Sequence, residues 1–339
     1  MIYIECGSED VYYNFGLEYY FAAEKILPDT VFLFWRTTPT LMVGRYQNIA
    51  EEINRELAKQ KGIHLVRRMS GGGTIYTDLG GWQFTFITKD DVKENSSENS
   101  SEFPSEISFD RYLTPVLETL REIGVDAVST GRNDITVDGK KISGNAQYKL
   151  GGVTVHHGSL LFDSDLAEMA AVTTVDDYKI RSKSIKSVRE RVTNIREYLS
   201  GNMTPEEFKT RMVEGILRRS GSAAEYHPTE EDLRRIRELA AEKFASPAVL
   251  DGRNPRFESE KTSRFAGGKV TFRLKVFENR IEDAQISGDF FAAFSGEELS
   301  AALIGCSYDR SAVLSRLREK FPVSPVFGVT LEELAEAVL

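Results

Sequence analysis

The sequence predicts an α+β protein in which a larger unit built around a mixed β-sheet is followed by a smaller α+β unit. Short apolar runs of strand length alternate with segments of helical period, and hairpin-length connections join several of the strands, which a purely parallel sheet does not allow. The 339 residues exceed one common domain and suffice for two. Residues 246–255, SPAVLDGRNP, hold two prolines and a D-G turn without any period, which is the composition of a join between domains. The expected division is residues 1–246, a linker at 247–255, and residues 256–339.

A strand at 2–5 leads into a helix at 10–26, where Phe15, Tyr19, Ala22, Ala23 and Ile26 recur at three- and four-residue spacing before Pro28. Short strands follow at 31–36 and 40–43, parted by Pro39, and then a helix at 53–61 stopped by Gly62. Strands at 63–68, 74–77 and 82–88 come next. Residues 89–108, which include KENSSENSSEFPSE, carry few apolar side chains and no period, so burial would not offset their backbone entropy; a mobile surface loop is expected there. A helix at 109–123 enters a strand-rich stretch at 127–162, and helices dominate from 165 to 244. Beyond the join, strands at 269–277 and 280–286 flank a tight turn at Asn279, with helices at 296–303, 310–320 and 331–339.

Hydrophobic residues make up 41% and charged residues 28%, the balance of a folded globular chain, so wholesale disorder and fibrous repeats are excluded. Acidic side chains number 52 against 43 basic ones, a net charge of −9, and the overall field repels a nucleic acid backbone. Cys6 and Cys306 lie near opposite ends with no C-x-x-C, which speaks against a disulfide framework, a zinc site and a thioredoxin-type pair. The chain opens without a basic n-region, and no window approaches 18 uninterrupted apolar residues. The expected location is the cytoplasm, with no membrane contact.

Four stretches carry chemistry. In RRMSGGGTIYTD, residues 67–78, three consecutive glycines between two strands exceed what a turn needs, so close approach of a ligand to the backbone is expected. Exposed N–H groups in such a loop form an anion-binding concavity, and two arginines add charged donors. An ordinary glycine-rich hairpin with solvated arginines fits the same residues, and the pattern is neither a P-loop nor a dinucleotide fingerprint.

In GRNDITVDGKKISGNAQY, residues 131–148, Asp138-Gly139 is the preferred dipeptide of a type I′ hairpin, pairing Val137 with Lys140, Thr136 with Lys141 and Ile135 with Ile142. The two-residue period then puts Lys141 on a polar face with Thr136, Asp134 and Ser143, while Ile135, Val137 and Ile142 turn to the core. A solvated strand lysine is the plain alternative. HHGSLLF, residues 156–162, holds two of the four histidines; adjacent strand residues face opposite sides, so the two rings cannot chelate one metal, and a hydrogen-bonded core histidine accounts for either. In KIRSKSIKSVRERVTNIR, residues 179–196, seven basic side chains stand against one acidic residue, Glu190. Such a loop would close over a polyphosphate or attract an acidic protein; a solvated flexible loop is the alternative.

Together and in this order, the four stretches resemble lipoate-protein ligases over essentially the whole chain. RRMSGGGTIYTD resembles the family's RRxSGGGAVYHD, KISGNAQ its KISGSA, HHGSLLF its HHGTLLF and SVRERVTN its SVRxRVTN. PTLMVGRYQN, residues 39–48, and ISGDFF, residues 286–291, extend the match. Thr74, Thr77 and Gly81 depart from the family's Ala, His and Asn.

The resemblance implies a catalytic domain at 1–246, of the biotin protein ligase and class II aminoacyl-tRNA synthetase type, and an accessory domain at 256–339. It implies lipoate and ATP as substrates with Mg²⁺, a lipoyl-AMP intermediate, and transfer to a lysine of acceptor lipoyl domains in E2 subunits and the H protein. Lys141 is the implied catalytic contact to both substrates. Arg68, Gly73, Thr74, Ile75 and Tyr76 would bind ATP, while Arg68, Ser70, Gly72 and His157 would bind lipoate. Asn133 and Asp134 are implied as further contacts. No residue is assigned to metal, since phosphates and water can hold Mg²⁺, and a monomer is expected. Two rivals share the pattern: an octanoyl or lipoyl transferase, which needs a cysteine nucleophile, and a lipoate- or nucleotide-binding protein without turnover.

Overall fold

The computed structural model describes residues 1–90, 109–130, 133–173, 190–246, 249–250, 259–292 and 294–339. Most of the expected loop at 89–108, residues 179–189 of the basic stretch and most of the join at 247–255 therefore lie outside the described residues.

The larger unit is built on an eight-stranded mixed sheet. Along it, β1 (Ile2–Glu5) and β2 (Val31–Trp35) run parallel and are followed by antiparallel β6 (Gly81–Lys89), β10 (Val153–Leu161) and β9 (Lys140–Leu150). β8 (Asp134–Val137) and β7 (Val128–Thr130) extend one edge, and the two-residue β11 (Ala224–Glu225) closes the other. Alternation in β2 sends Phe32 and Phe34 to one face, where α4 (Asp110–Glu122) and α6 (Pro205–Arg219) cover them. Val31, Leu33 and Trp35 face the other side, under α1 (Val11–Ala23) and α7 (Glu230–Lys243). A second small sheet, β3 (Thr40–Val43) between parallel β4 (His64–Arg67) and antiparallel β5 (Ile75–Thr77), lies beside the first, with short helices α2 (Ile49–Glu52), α3 (Arg55–Gln60) and α5 (Leu166–Val172).

The smaller unit is an antiparallel sheet of β12 (Ser259–Phe265), β13 (Gly268–Phe277) and β14 (Arg280–Gly288) with helices α8 (Gly296–Leu303), α9 (Arg310–Lys320) and α10 (Leu331–Val338), around its own apolar core. The two units exchange side chains: Tyr46 packs in the small unit's core and stacks on Phe290 at 4.6 Å, while Phe291 is buried in the core of the large sheet. No helix among the described residues is long and apolar enough to cross a membrane.

Three local expectations are corrected. The first helix ends at Ala23, because Glu24 and Lys25 both donate to the Tyr20 carbonyl and Lys25 is drawn off to Asp232, leaving Ile26 exposed. The helix expected at 53–61 is α3, which starts two residues later because the Asn54 side chain caps it by accepting from Leu57 N at 3.0 Å, and the separate short α2 precedes it unforeseen. In the β8–β9 hairpin, Asp138 and Gly139 have φ of +50° and +76° and the pairs Val137–Lys140 and Thr136–Lys141 form, but Ile135 pairs with Ser143 instead of Ile142. A β-bulge takes up the extra residue and buries Ile142 with Ile135 and Val137.

Candidate active site

Adjacent residues of a strand diverge, and the site depends on this twice. At the end of β4, Arg67 donates to the carbonyls of Gly44 at 2.9 Å, Gln47 at 2.7 Å and Leu250 at 2.7 Å, tying the 44–47 turn to the approach of the join. Arg68 turns inward and is buried, with burial and the neighbouring Arg67 charge pulling its pKa down to about 10. It donates to Ser70 Oγ, Met42 O, Gly71 O and Gly73 O at 2.7–3.1 Å. Four of its five N–H groups are thus spent on the shape of the glycine loop. In β10, His156 faces the aromatic core against Tyr112, while His157 faces the opposite side.

The close approach that the triple glycine provides is to protein backbone. A Cβ on Gly71 would stand 2.1 Å from the Phe290 carbonyl, and Gly72, at φ +89°, donates its N–H to that same carbonyl at 3.1 Å. Gly73 alone of the three has open space around it. It is there that the loop meets a partly open pocket, whose empty space, open solvent included, is about 610 Å³.

Arg68, Gly72, Gly73, Thr74, Ile75, Asn133, Lys141 and His157 all line this pocket. Three expected residues stand apart. Ser70 is buried behind His157, Asp134 reaches the pocket only through Lys141, and the Tyr76 side chain packs into a separate core with Leu41, Val43 and Ile49.

Among the described residues that line the pocket, Lys141 carries the exposed positive charge. Its Nζ is 2.7 Å from Asp134 Oδ1, and it lies over Gly144, where a Cβ would come within 3.0 Å of it. The Lys141 carbonyl accepts from Thr193 N at 3.0 Å, so the described end of the basic stretch, residues 190–196, is fastened beside the lysine. Asn133 and Asn145 clasp each other through side chain and backbone at 2.8–3.1 Å and fix the strand ends next to it.

Behind the pocket, His157 Nε2 is 2.7 Å from Ser70 Oγ, and its Nδ1 is 3.1 Å from Glu18 Oε2. Glu18, on α1, is 1% exposed and also accepts from Thr85 Oγ1 and Tyr148 OH. Burial, and then the Glu18 charge, raise the Tyr148 pKa and keep its phenol a donor. Ser70 Oγ accepts from Arg68 Nε–H, which leaves its own hydroxyl proton free to be donated to His157 Nε2 while the histidine Nδ1–H is donated to Glu18 in the matching tautomer. Sequence reasoning missed Glu18. Its signal was a carboxylate on the apolar stripe of α1, three residues after Phe15 and four before Ala22. It also missed the apolar wall, Phe15, Trp35, Met42 and Ala146.

Among the described residues no group of three or more His, Cys, Asp or Glu side chains is placed to hold a metal ion. Both cysteines are buried and unpaired, Cys6 under α1 and Cys306 in the small unit, and neither lines the pocket.

Residues 10–217 match the Lipoyl protein ligase A/B catalytic domain, and residues 254–338 match the Bacterial lipoate protein ligase C-terminus. The chain is 37% identical over 328 residues to lipoate-protein ligase LplJ of Bacillus subtilis (strain 168), covering 96% of each. The chain belongs to the lipoate-protein ligases. The fold of this ligase matches that of P. falciparum LipL1 in a lipoate complex, with TM-score 0.76 and 20% identity over 96% of this chain and 95% of the other. It also matches a lipoate-protein ligase A bound with ATP, with TM-score 0.59 and 23% identity over 74% of this chain and 97% of the other.

Proposed function

We propose that this ligase joins lipoate to AMP at the expense of Mg-ATP and passes the lipoyl group to a lysine of acceptor lipoyl domains, those of E2 subunits and the H protein. The observation that carries the reading is the position of Lys141, a charged ammonium at the mouth of a pocket whose wall is apolar and whose rim is the backbone of Gly73 and Thr74. The acyl chain lies along Phe15, Trp35, Met42 and Ala146, where burial of its methylenes supplies affinity. Its carboxylate then faces Lys141, and the triphosphate approaches the same ammonium from the glycine rim. Two anions must meet for the first step, and a cation within reach of both lowers their repulsion and stabilises the charge that develops. Arg68 contributes chiefly by holding the loop, since its donors are engaged. Mg²⁺ enters with the nucleotide, held by phosphates and water. Two buried, unpaired cysteines fit a reducing compartment, and we place the ligase in the cytoplasm as a monomer.

The test is the mass of an apo lipoyl domain after incubation with the protein, lipoate and Mg-ATP. A lipoyl mass gain that needs ATP and falls about 10²- to 10³-fold with Lys141→Ala is expected. A gain without ATP from an acyl-protein donor would replace this reading with the transferase, and neither mass gain nor pyrophosphate release would leave a binding protein.

A further inference from the structure

Transfer requires protons to leave the acceptor nitrogen, because a lysine arrives as an ammonium and only the amine attacks an acyl-adenylate. We propose that Asp134 is the base of the transfer step, and that the acceptor ammonium takes the place at this carboxylate that Lys141 vacates when it turns to the acyl-adenylate. This rests on the ligase reading above.

The geometry points there first. Lys141 Nζ lies 2.7 Å from Asp134 Oδ1, an oxygen that is itself buried, while the two side chains as wholes are 34% and 37% exposed, so a side chain of another protein can reach the pair. A group that Lys141 holds at hydrogen-bond distance lies within about 6 Å of Asp134, which leaves room for one nitrogen about 3 Å from both the acyl carbon and the carboxylate. Asp134 faces Gly144 across the hairpin, and Gly144 lines the pocket, so this space borders the place where the acyl carboxyl is bound.

The neighbouring acids and bases are engaged elsewhere. His157 is 8% exposed, with both ring nitrogens committed to Ser70 and Glu18. Glu18 is buried and saturated by three donors. Asp78 accepts from the backbone N–H groups of Gly80 and Asp165 beyond the glycine loop.

The step balances. The first proton passes from the acceptor ammonium through the Asp134 carboxylate to solvent, which restores the carboxylate. The amine lone pair then forms the C–N bond. The second proton goes from that nitrogen to Asp134 as the bond between the acyl carbon and the phosphate oxygen breaks and its electron pair leaves with AMP.

The experiment separates the two steps in wild type, Asp134→Asn and Asp134→Glu. Pyrophosphate release reports adenylate formation. Lipoyl transfer to an apo lipoyl domain is then compared with capture of the same adenylate by hydroxylamine, which is already unprotonated at neutral pH and so needs no removal of the first proton. The expected result is that Asp134→Asn lowers the ratio of lysine transfer to hydroxylamine capture about 10²-fold, with part of it restored by Asp134→Glu. Equal slowing of lysine and hydroxylamine would overturn the proposal in favour of a positioning role. So would a loss confined to adenylate formation. A wild-type protein that releases no pyrophosphate would instead defeat the ligase reading itself.

Discussion

The absence of a side chain at Gly144 decides where the Lys141 ammonium can lie. A Cβ there would meet only the Cε and Nζ of Lys141, the far end of a flexible chain. Gly144→Ala should therefore leave thermal unfolding nearly unchanged while displacing the ammonium. Adenylate formation, read by pyrophosphate release, is expected to fall about 10- to 100-fold, the cost of misplacing a contact by about 1 Å. Lys141 itself was legible from the Asp138-Gly139 turn and a two-residue period, because both are local. Glu18 was not, since its partners Thr85, Tyr148 and His157 come from three other strands and only the fold assembles them.

Among the elements, the glycine loop shows how a motif can be visible while its cause is not. The run of three glycines pointed to close approach of a ligand to the backbone. The crowding partner, however, is Phe290 at the end of the small unit, far along the chain. Gly71→Ala must force the loop off the Phe290 carbonyl, so we expect a loss of about 1–3 kcal/mol in chemical denaturation, as for other overpacked sites. Gly73→Ala, with nothing within 4 Å of the new methyl, should lose little stability. The same limit explains two other differences. The bulge at Ile142 arises because Ile142, Ile135 and Val137 all need the core, a demand that overrides a regular ladder. β12 escaped notice because SEKTSRF is a mostly polar edge strand, with little apolar alternation to read.

For the whole molecule, acid should act on stability in two separate windows. His156 is fully buried, and its burial, reinforced by His157, holds its pKa well below the usual value. The unfolded chain takes up a proton there below about pH 6.5 and the folded chain does not, so stability should fall by about 1.4 kcal/mol per pH unit below that point. His156→Gln should flatten the slope between pH 5 and 6.5 in denaturant titrations. Asp232 acts in a lower window. Burial alone would raise its pKa, but donors from Lys25, Tyr20, Tyr226 and Thr229 N outweigh it and lower it. Its contribution to holding α1 against α7 is complete above about pH 4 and is lost as pH falls through its depressed value, so Asp232→Asn should cost most at neutral pH and progressively less as pH falls below about 4. The two-unit architecture and the mixed sheet were readable from patterning alone. The way the units interlock was not, because it rests on a few aromatic residues whose neighbours are distant in sequence.

That interlock limits modularity. Phe291 belongs by sequence to one unit and by packing to the other, while Tyr46 makes the reverse exchange. A hybrid made by grafting this C-terminal unit onto a different relative would bring a foreign plug to the glycine loop, even if both halves kept their own cores. Swaps should succeed only when residues 44–46, 71–72 and 288–291 travel together, so the working cut points for recombination follow this contact rather than the join at 247–255.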